Sequence, residues 1–132
     1  MQNRRRIAQA LVALGSLVLF IGAALHGIAG YRIAFGAVQG ADIPHPILSA
    51  FKAVWLFVSW HWIAMDIFAL IAAFARTSPR RTILLLCGLV PLVDAAGAYS
   101  AIGFFIGDEL LTVAALAFLT SAALFPPEPH QG

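Results

Sequence analysis

The sequence predicts an all-α integral membrane protein, a bundle of four transmembrane helices in a single membrane domain that covers residues 1–132. Hydrophobic residues make up 61% of the chain and charged residues only 11%, whereas roughly 25% of the residues in a soluble domain are charged. A hydrocarbon core about 30 Å thick needs about 20 apolar residues in a helix. Four apolar stretches come close to this length: residues 7–29, 47–75, 82–103 and 108–125.

The placement of arginine predicts how these helices are oriented. Arginines cluster before the first helix and in the link between the second and third helices, whereas the opposite side carries only Arg32 and Lys52. Because basic residues are retained on the cytoplasmic side, we expect a multi-pass protein of a bacterial-type inner membrane with both termini in the cytoplasm. Arginines at helix ends do not form a nucleic-acid surface, so no nucleic-acid partner is predicted. The clustered residues are Arg4, Arg5, Arg6, Arg76, Arg80 and Arg81.

The N-terminal segment has some features of a secretory signal, since arginines precede an apolar run. The run continues to Ile28, past the 7 to 15 apolar residues that are usual in a signal, so a first transmembrane helix is predicted, with cleavage as the minor alternative. The single cysteine, Cys87, excludes an intramolecular disulfide and a metal cluster built on cysteines.

The first helix carries one face of mostly small residues, which predicts close packing against a neighbouring helix. Residues 30–46 form an external connection that is too rich in glycine for another span, and residues 31–38 are expected to lie at the membrane interface. Pro44 and Pro46 stiffen the entry to the second helix. The small-residue face consists of Ala8, Val12, Gly15, Leu19, Gly22, His26 and Ala29.

On the second helix a stripe of polar and aromatic residues repeats at steps of three and four. A second set falls on a different side and consists of His61, Phe57, Val58, Met65 and Phe68. These two sets cover most of the circumference, which predicts that the second helix is the most enclosed of the four. The stripe consists of Lys52, Trp55, Ser59, Trp62 and Asp66.

The third helix has Cys87, Pro91, Asp94, Ala98 and Ala101 on one face, and its proline is expected to bend it. The fourth helix is predicted to begin at Asp108 and Glu109, with an N-cap oxygen and negative charge at its N-terminus. The tail, residues 126–132, has no apolar periodicity and is predicted to be disordered.

His61, Asp66 and Asp94 form the sharpest candidate site, since one base and two acids lie within one or two turns of the bilayer midplane. Ionisable residues inside a membrane helix pair with protein groups or face water. They indicate either a site that handles protons or a polar substrate, or hydrogen bonds between helices that determine packing.

A second, outer cluster is predicted from His26, Lys52, Tyr99 and Ser100, with Asp108 or His45 as further members. It could hold an anionic head group, but its histidines lack the spacing of a metal site, so no metal is predicted. Haem needs two ligands at one depth, and His26 is expected roughly 12 Å above His61 from the helical rise. No cofactor is therefore predicted.

Three functions remain open. The leading hypothesis is a non-enzymatic subunit of a larger membrane assembly, with membrane lipids and other membrane proteins or a second copy as partners. The first alternative is a proton-coupled transporter or channel that uses His61, Asp66 and Asp94. The second is a membrane-embedded enzyme that acts on a lipid-like substrate with His61 as base. Whether the chain is an enzyme is left open by the sequence.

Overall fold

The fold was obtained as a computed structural model that describes residues 2–75 and 79–125. Within these residues 89% are helical and no strand occurs. Four helical stretches are long and apolar enough to cross a membrane. Arg76 and the tail that was predicted to be disordered lie outside the described residues. The elements are α1 (Gln2–Ala24), a π-helical segment (Leu25–Gly30), α2 (Tyr31–Ala37), α3 (His45–Phe74), α4 (Arg80–Ile102) and α5 (Ile106–Leu124).

The first helical stretch runs without a break from Gln2 to Ala37, whereas the first transmembrane helix was expected to end at residue 29 and an external connection to follow it. Two glycines near this boundary allow close packing against α3. A Cβ atom on Gly27 would lie 3.0 Å from Ser59 Oγ, and one on Gly30 would lie 3.2 Å from the Trp55 ring. These two glycines are therefore required by helix contact.

The π-helical segment changes which residues of the first helix face the bundle. The predicted face is buried from Ala8 to Gly22, which confirms the small-residue packing. Beyond Ala24 the wider π turn rotates the register, so that Ala29 is exposed and His26 is half-buried. The predicted face thus ends where the π-helical segment begins.

The core lies around α5, which packs extensively against both α1 and α4. Phe118 of α5 is fully buried among residues that include Leu19 and Leu84. We expected α3 to be the most enclosed helix, and this is wrong, because α5 has the largest buried share of the four. The reason is that α5 is rich in alanine, which allows neighbouring backbones to approach it on two sides.

Hydrogen bonds tie the helices together at the end of the bundle that contains the N-terminus. Ser121 donates to the carbonyl of Ala8 at 2.9 Å, and Gln9 donates to the carbonyl of Ala73 at 3.0 Å. Arg80 donates to two carbonyl oxygens near the end of α3, and its guanidinium lies 5.0 Å from the centre of the Phe125 ring. This end of the bundle is therefore closed by polar contacts.

The opposite end includes the turn between α4 and α5. The fourth predicted span, α5, begins earlier than predicted, at Ile106. Its N-cap is Phe105, which makes no side-chain capping bond. Asp108 therefore lies in the first turn and is not the N-cap, which corrects the sequence prediction. Its carboxyl group is buried, and neither of its oxygens has a hydrogen-bond partner among the described residues.

Candidate functional site

A hydrogen-bonded pair joins α3 and α4 near the middle of both helices. The imidazole Nε2 of His61 donates to Oδ2 of Asp94 across 2.9 Å. The half-exposed side chains keep 23% and 31% of their surface open to the outside of the bundle. Two members of the predicted inner cluster are therefore in direct contact.

Trp62 is a second hydrogen-bond donor to this carboxylate. Its indole N–H donates to the same Oδ2 atom of Asp94 at 2.7 Å. Both hydrogen bonds thus fall on one oxygen, and among the described side chains none donates to the second oxygen, Oδ1. Since Asp94 is half-exposed, Oδ1 is an acceptor that remains accessible from outside the chain.

Asp66 lies apart from this pair. It is 7% exposed and is buried near Ser16 of α1 and Cys87 of α4. Its Oδ1 atom and the Ser16 hydroxyl oxygen have no hydrogen-bond partner among the described residues. The three residues of the inner cluster therefore form two separate sites, a half-exposed pair and a buried carboxyl group.

His26, which was placed in the outer cluster, belongs to the inner network instead. Its ring stacks on Trp55 with centroids 4.4 Å apart and meets Trp62 edge-on at 5.1 Å. A hydrogen bond of 3.0 Å joins its Nδ1 to Ser59 Oγ, and the Trp55 indole donates to its backbone carbonyl at 3.1 Å. Three residues of α3 thus hold the His26 ring in place.

Trp62 connects the two histidines, a role that sequence reasoning missed. Its ring centroid lies 5.1 Å from that of His26 and 5.9 Å from that of His61, so the two imidazoles are no more than about 11 Å apart. The spacing of Trp55, Ser59 and Trp62 indicates that they share one side of α3, but it does not indicate which residues of other helices contact that side.

The other residues of the outer cluster do not converge. Lys52 lies 5.6 Å from the centre of the Phe35 ring, and the Ser100 hydroxyl donates to the carbonyl of Gly97 at 2.7 Å. Tyr99 lines a cleft between α4 and α5 that also contains Asp108, one of the optional members of the cluster. Within the described residues no three His, Cys, Asp or Glu side chains are close enough to hold a metal ion.

The surface of α4 beside the pair carries small, exposed residues. Gly97 and Ala101 are exposed one and two turns beyond Asp94, and nothing lies within 4 Å of where a Cβ atom on Gly97 would be. Small exposed residues let a further helix approach closely. We call the surface formed by Phe57, His61, Val93, Asp94, Gly97 and Ala101 the α3–α4 face.

No protein-family model, curated protein or solved structure matches this chain. A function for it must therefore be argued from the geometry of its side chains.

Proposed function

We propose that this chain is a multi-pass protein of a bacterial-type inner membrane, with both termini in the cytoplasm, and a non-enzymatic subunit of a larger membrane assembly. In this proposal the α3–α4 face binds a transmembrane helix of another membrane protein. The four apolar helices and the arginines at one end of the bundle support the location and the orientation.

The half-exposed carboxylate of Asp94 is the observation that carries this proposal. Polar groups at mid-depth in a membrane are costly when they face lipid, and they normally face protein or water. Oδ1 of Asp94 lacks a donor among the described side chains, and exposed Phe57 and Val93 lie near the pair. A hydrogen-bond donor on a partner helix would satisfy Oδ1 and cover the pair.

Gly97 and Ala101 provide the surface against which the partner helix would pack. Membrane helices associate through van der Waals contacts and hydrogen bonds, so small residues at the crossing point favour association. The space beside Gly88 is occupied by the side chain of Leu119, but nothing lies within 4 Å of where a Cβ atom on Gly97 would be. The side of α4 that carries Gly97 is thus free for an external contact.

A different protein fits this face better than a second copy. A two-fold axis through Gly97 would bring the Asp94 carboxylates of two parallel α4 helices to the same depth and close together. Like charges in a medium of low dielectric repel each other strongly. The partner is therefore expected to supply a donor at this depth, such as a hydroxyl, amide or basic side chain.

The two alternative functions receive less support. A proton-coupled transporter that uses all three predicted residues needs exchange between Asp66 and the pair, but Asp66 is buried toward Ser16 and Cys87. An enzyme with His61 as base needs a substrate cavity at that ring, whereas the cleft that Tyr99 lines lies between α4 and α5 and does not include His61.

The experiment is purification of the tagged full chain from its native membranes in mild detergent, followed by native mass spectrometry. Gly97→Leu should remove a co-purifying protein, because the new side chain blocks the approach of a helix. Asp94→Leu should remove the same protein. Gly36→Leu is the matched control, since nothing lies within 4 Å of a Cβ atom there either, and it should retain the partner.

The proposal is wrong if the wild-type chain is recovered alone or only with copies of itself. It is also wrong if the partner is retained equally by all three variants. Thermal unfolding of each variant distinguishes loss of binding from loss of fold, because Gly97→Leu is expected to leave the isolated chain as stable as Gly36→Leu does.

A further inference from the structure

A cleft of about 440 Å³ opens between α2, the connection that follows it and the first turns of α3. We call it the α2–α3 cleft. It lies at the end of the bundle opposite to the N-terminus and shares no residue with the α3–α4 face, so the proposed function does not use it. Its lining includes Arg32, Phe35, Gln39, Leu48 and Lys52.

The α2–α3 cleft is lined by two positive charges and by no negative one. Arg32 of α2 and Lys52 of α3 both line it, whereas no aspartate or glutamate does. Asp42, the acid nearest to both along the chain, is exposed and is not part of the lining. Among the described residues neither basic side chain forms an ion pair. Two like charges in one cleft repel each other, and an anion between them would relieve that repulsion.

Aromatic contacts hold the two basic residues at the cleft. The ammonium group of Lys52 lies 5.6 Å from the centre of the Phe35 ring, and that ring lies 5.3 Å from Phe51 and 6.0 Å from Trp55, measured between centroids. Arg32 precedes Phe35 by three residues, so both lie on the same face of α2. The packing of α2 on α3 therefore brings together two basic side chains that are far apart in the sequence.

The length of α3 indicates the depth of the cleft in a membrane. This helix has 30 residues, about 45 Å at 1.5 Å per residue, whereas a hydrocarbon core is about 30 Å thick. Arg80 marks the polar boundary at the far end, where it bonds two carbonyl oxygens near the end of α3. A span of about 20 residues that ends at Phe74 begins near Trp55, and Lys52 lies one turn beyond it. The cleft is therefore at the level of the lipid head groups.

The side chains of the lining match a phosphate group that is attached to an apolar body. The planar guanidinium of Arg32 can donate two parallel hydrogen bonds to phosphate oxygens, and Lys52 adds a point charge. The amide of Gln39 is a further donor in the lining. Val38 and Leu48 line the same cleft and suit the glycerol and the first carbons of acyl chains.

We propose that the α2–α3 cleft binds the phosphate group of an anionic phospholipid between Arg32 and Lys52. The observation behind this site is the convergence of two basic side chains from different helices in a cleft without acids. The proposal rests on the location of the chain in a membrane and not on the partner of the α3–α4 face. The same phosphate chemistry occurs in a soluble phosphate ester, which is the other source of the ligand.

The test uses the full chain, stripped of lipid in an uncharged detergent, and counts bound lipids by native mass spectrometry during a titration. Phosphatidylglycerol is the probe, and phosphatidylcholine with the same acyl chains is the comparison. One phosphatidylglycerol per chain should bind at least tenfold more tightly than phosphatidylcholine, because each basic side chain near an anionic head group contributes about fivefold.

Variants of the two basic residues locate the site. Arg32→Gln and Lys52→Met should each weaken the binding of phosphatidylglycerol about fivefold. Arg81→Gln is the matched control, since Arg81 is an exposed arginine at the other end of the bundle, and it should bind like the wild type. The proposal is overturned if Arg32→Gln and Lys52→Met bind phosphatidylglycerol as tightly as Arg81→Gln does.

A conservative variant separates loss of charge from loss of fold. Lys52→Arg keeps the positive charge and should bind phosphatidylglycerol like the wild type, whereas Lys52→Met keeps most of the length of the side chain and should not. Both variants should unfold at the same temperature as the wild type in the same detergent. Equal weakening of binding in Lys52→Arg and Lys52→Met would contradict a site for an anion.

A soluble competitor identifies the source of the phosphate. If a lipid occupies the cleft, glycerol 3-phosphate, which lacks acyl chains, should bind at least tenfold more weakly than phosphatidylglycerol and should not displace it. If the ligand is a soluble phosphate ester, glycerol 3-phosphate should bind as tightly as phosphatidylglycerol and displace it. Both results support a phosphate site. Equal binding of phosphatidylcholine and phosphatidylglycerol, together with no binding of glycerol 3-phosphate, would overturn it.

Discussion

Gly88 of α4 packs so closely against Leu119 of α5 that the Cβ atom of an alanine at position 88 would overlap the leucine side chain. A Cβ atom on Gly88 would lie 2.7 Å from Leu119 Cγ and 3.1 Å from the carbonyl oxygen of Ala115. The two helices therefore approach each other so closely that only a glycine fits. This contact lies in the same helix as Gly97, whose surroundings are open.

Gly88→Ala is expected to destabilise the bundle by about 1–3 kcal/mol, the usual effect of overpacking. Gly97→Ala is expected to leave stability unchanged or to raise it slightly, because alanine is the better helix former. Thermal unfolding of both variants in the same detergent measures the difference. Equal stability of the two variants would contradict the close approach of α4 and α5 at Gly88.

The His61–Asp94 hydrogen bond should be measurable as a coupling energy. A double-mutant cycle with His61→Ala and Asp94→Ala is expected to give about 1 kcal/mol, the scale of side-chain hydrogen bonds between membrane helices. Denaturant unfolding in a mixed micelle provides the free energies. A cycle on His61→Ala and Asp66→Ala serves as the comparison, and a larger coupling there would show that the base pairs with the other acid.

Asp66→Asn is expected to raise the free energy of unfolding by about 1 kcal/mol. The Oδ1 atom of Asp66 is buried without a partner, and such a group carries a desolvation penalty of about 1–3 kcal/mol. Asparagine removes the buried charge, and its amide can still bond the nearby Ser16 hydroxyl, which has no other partner among the described residues. A clear loss of stability would contradict this account. Exposed Asp42→Asn is the control and should change nothing.

Gly27→Ala is expected to weaken the contact between the π-helical segment and α3. The new methyl group would lie 3.0 Å from Ser59 Oγ, the atom that bonds His26 at 3.0 Å. Because His26 stacks on Trp55, tryptophan fluorescence should change in intensity and in emission maximum. Gly36→Ala should leave the spectrum as in the wild type, and an unchanged spectrum in Gly27→Ala would argue against the close approach.

The proposed orientation predicts the activity of topology reporters. Alkaline phosphatase, which is active only outside the cytoplasm, should be active when fused after Gly40 and inactive when fused after the final residue. A fluorescent protein that folds only in the cytoplasm should give the opposite pattern. Activity of the phosphatase at the C-terminus would show that the arginine clusters do not determine the orientation in the way the positive-inside rule states.

Periodicity in the sequence already separated His61 from Asp66, since only Asp66 shares the stripe with Trp62. The prediction that His61, Asp66 and Asp94 form one cluster was based on their similar depth in the bilayer. Depth does not indicate which side of a helix a residue lies on. In the structure His61 faces Asp94, and Asp66 is buried near Ser16 and Cys87. The pair was thus foreseeable in part, but the role of Trp62 as a second donor to Asp94 was not.

The sequence by itself determined the number of long apolar helices and the face of α1 that is buried from Ala8 to Gly22, because hydrophobic length and helical period are local properties of the chain. Only the tertiary structure decided which faces meet. The π-helical segment rotates His26 onto Trp55 and Trp62, and α5 becomes the central helix through its contacts with α1 and α4. These outcomes depend on close approach at particular glycines and alanines, and such distances between helices are set by the shapes of both partners together.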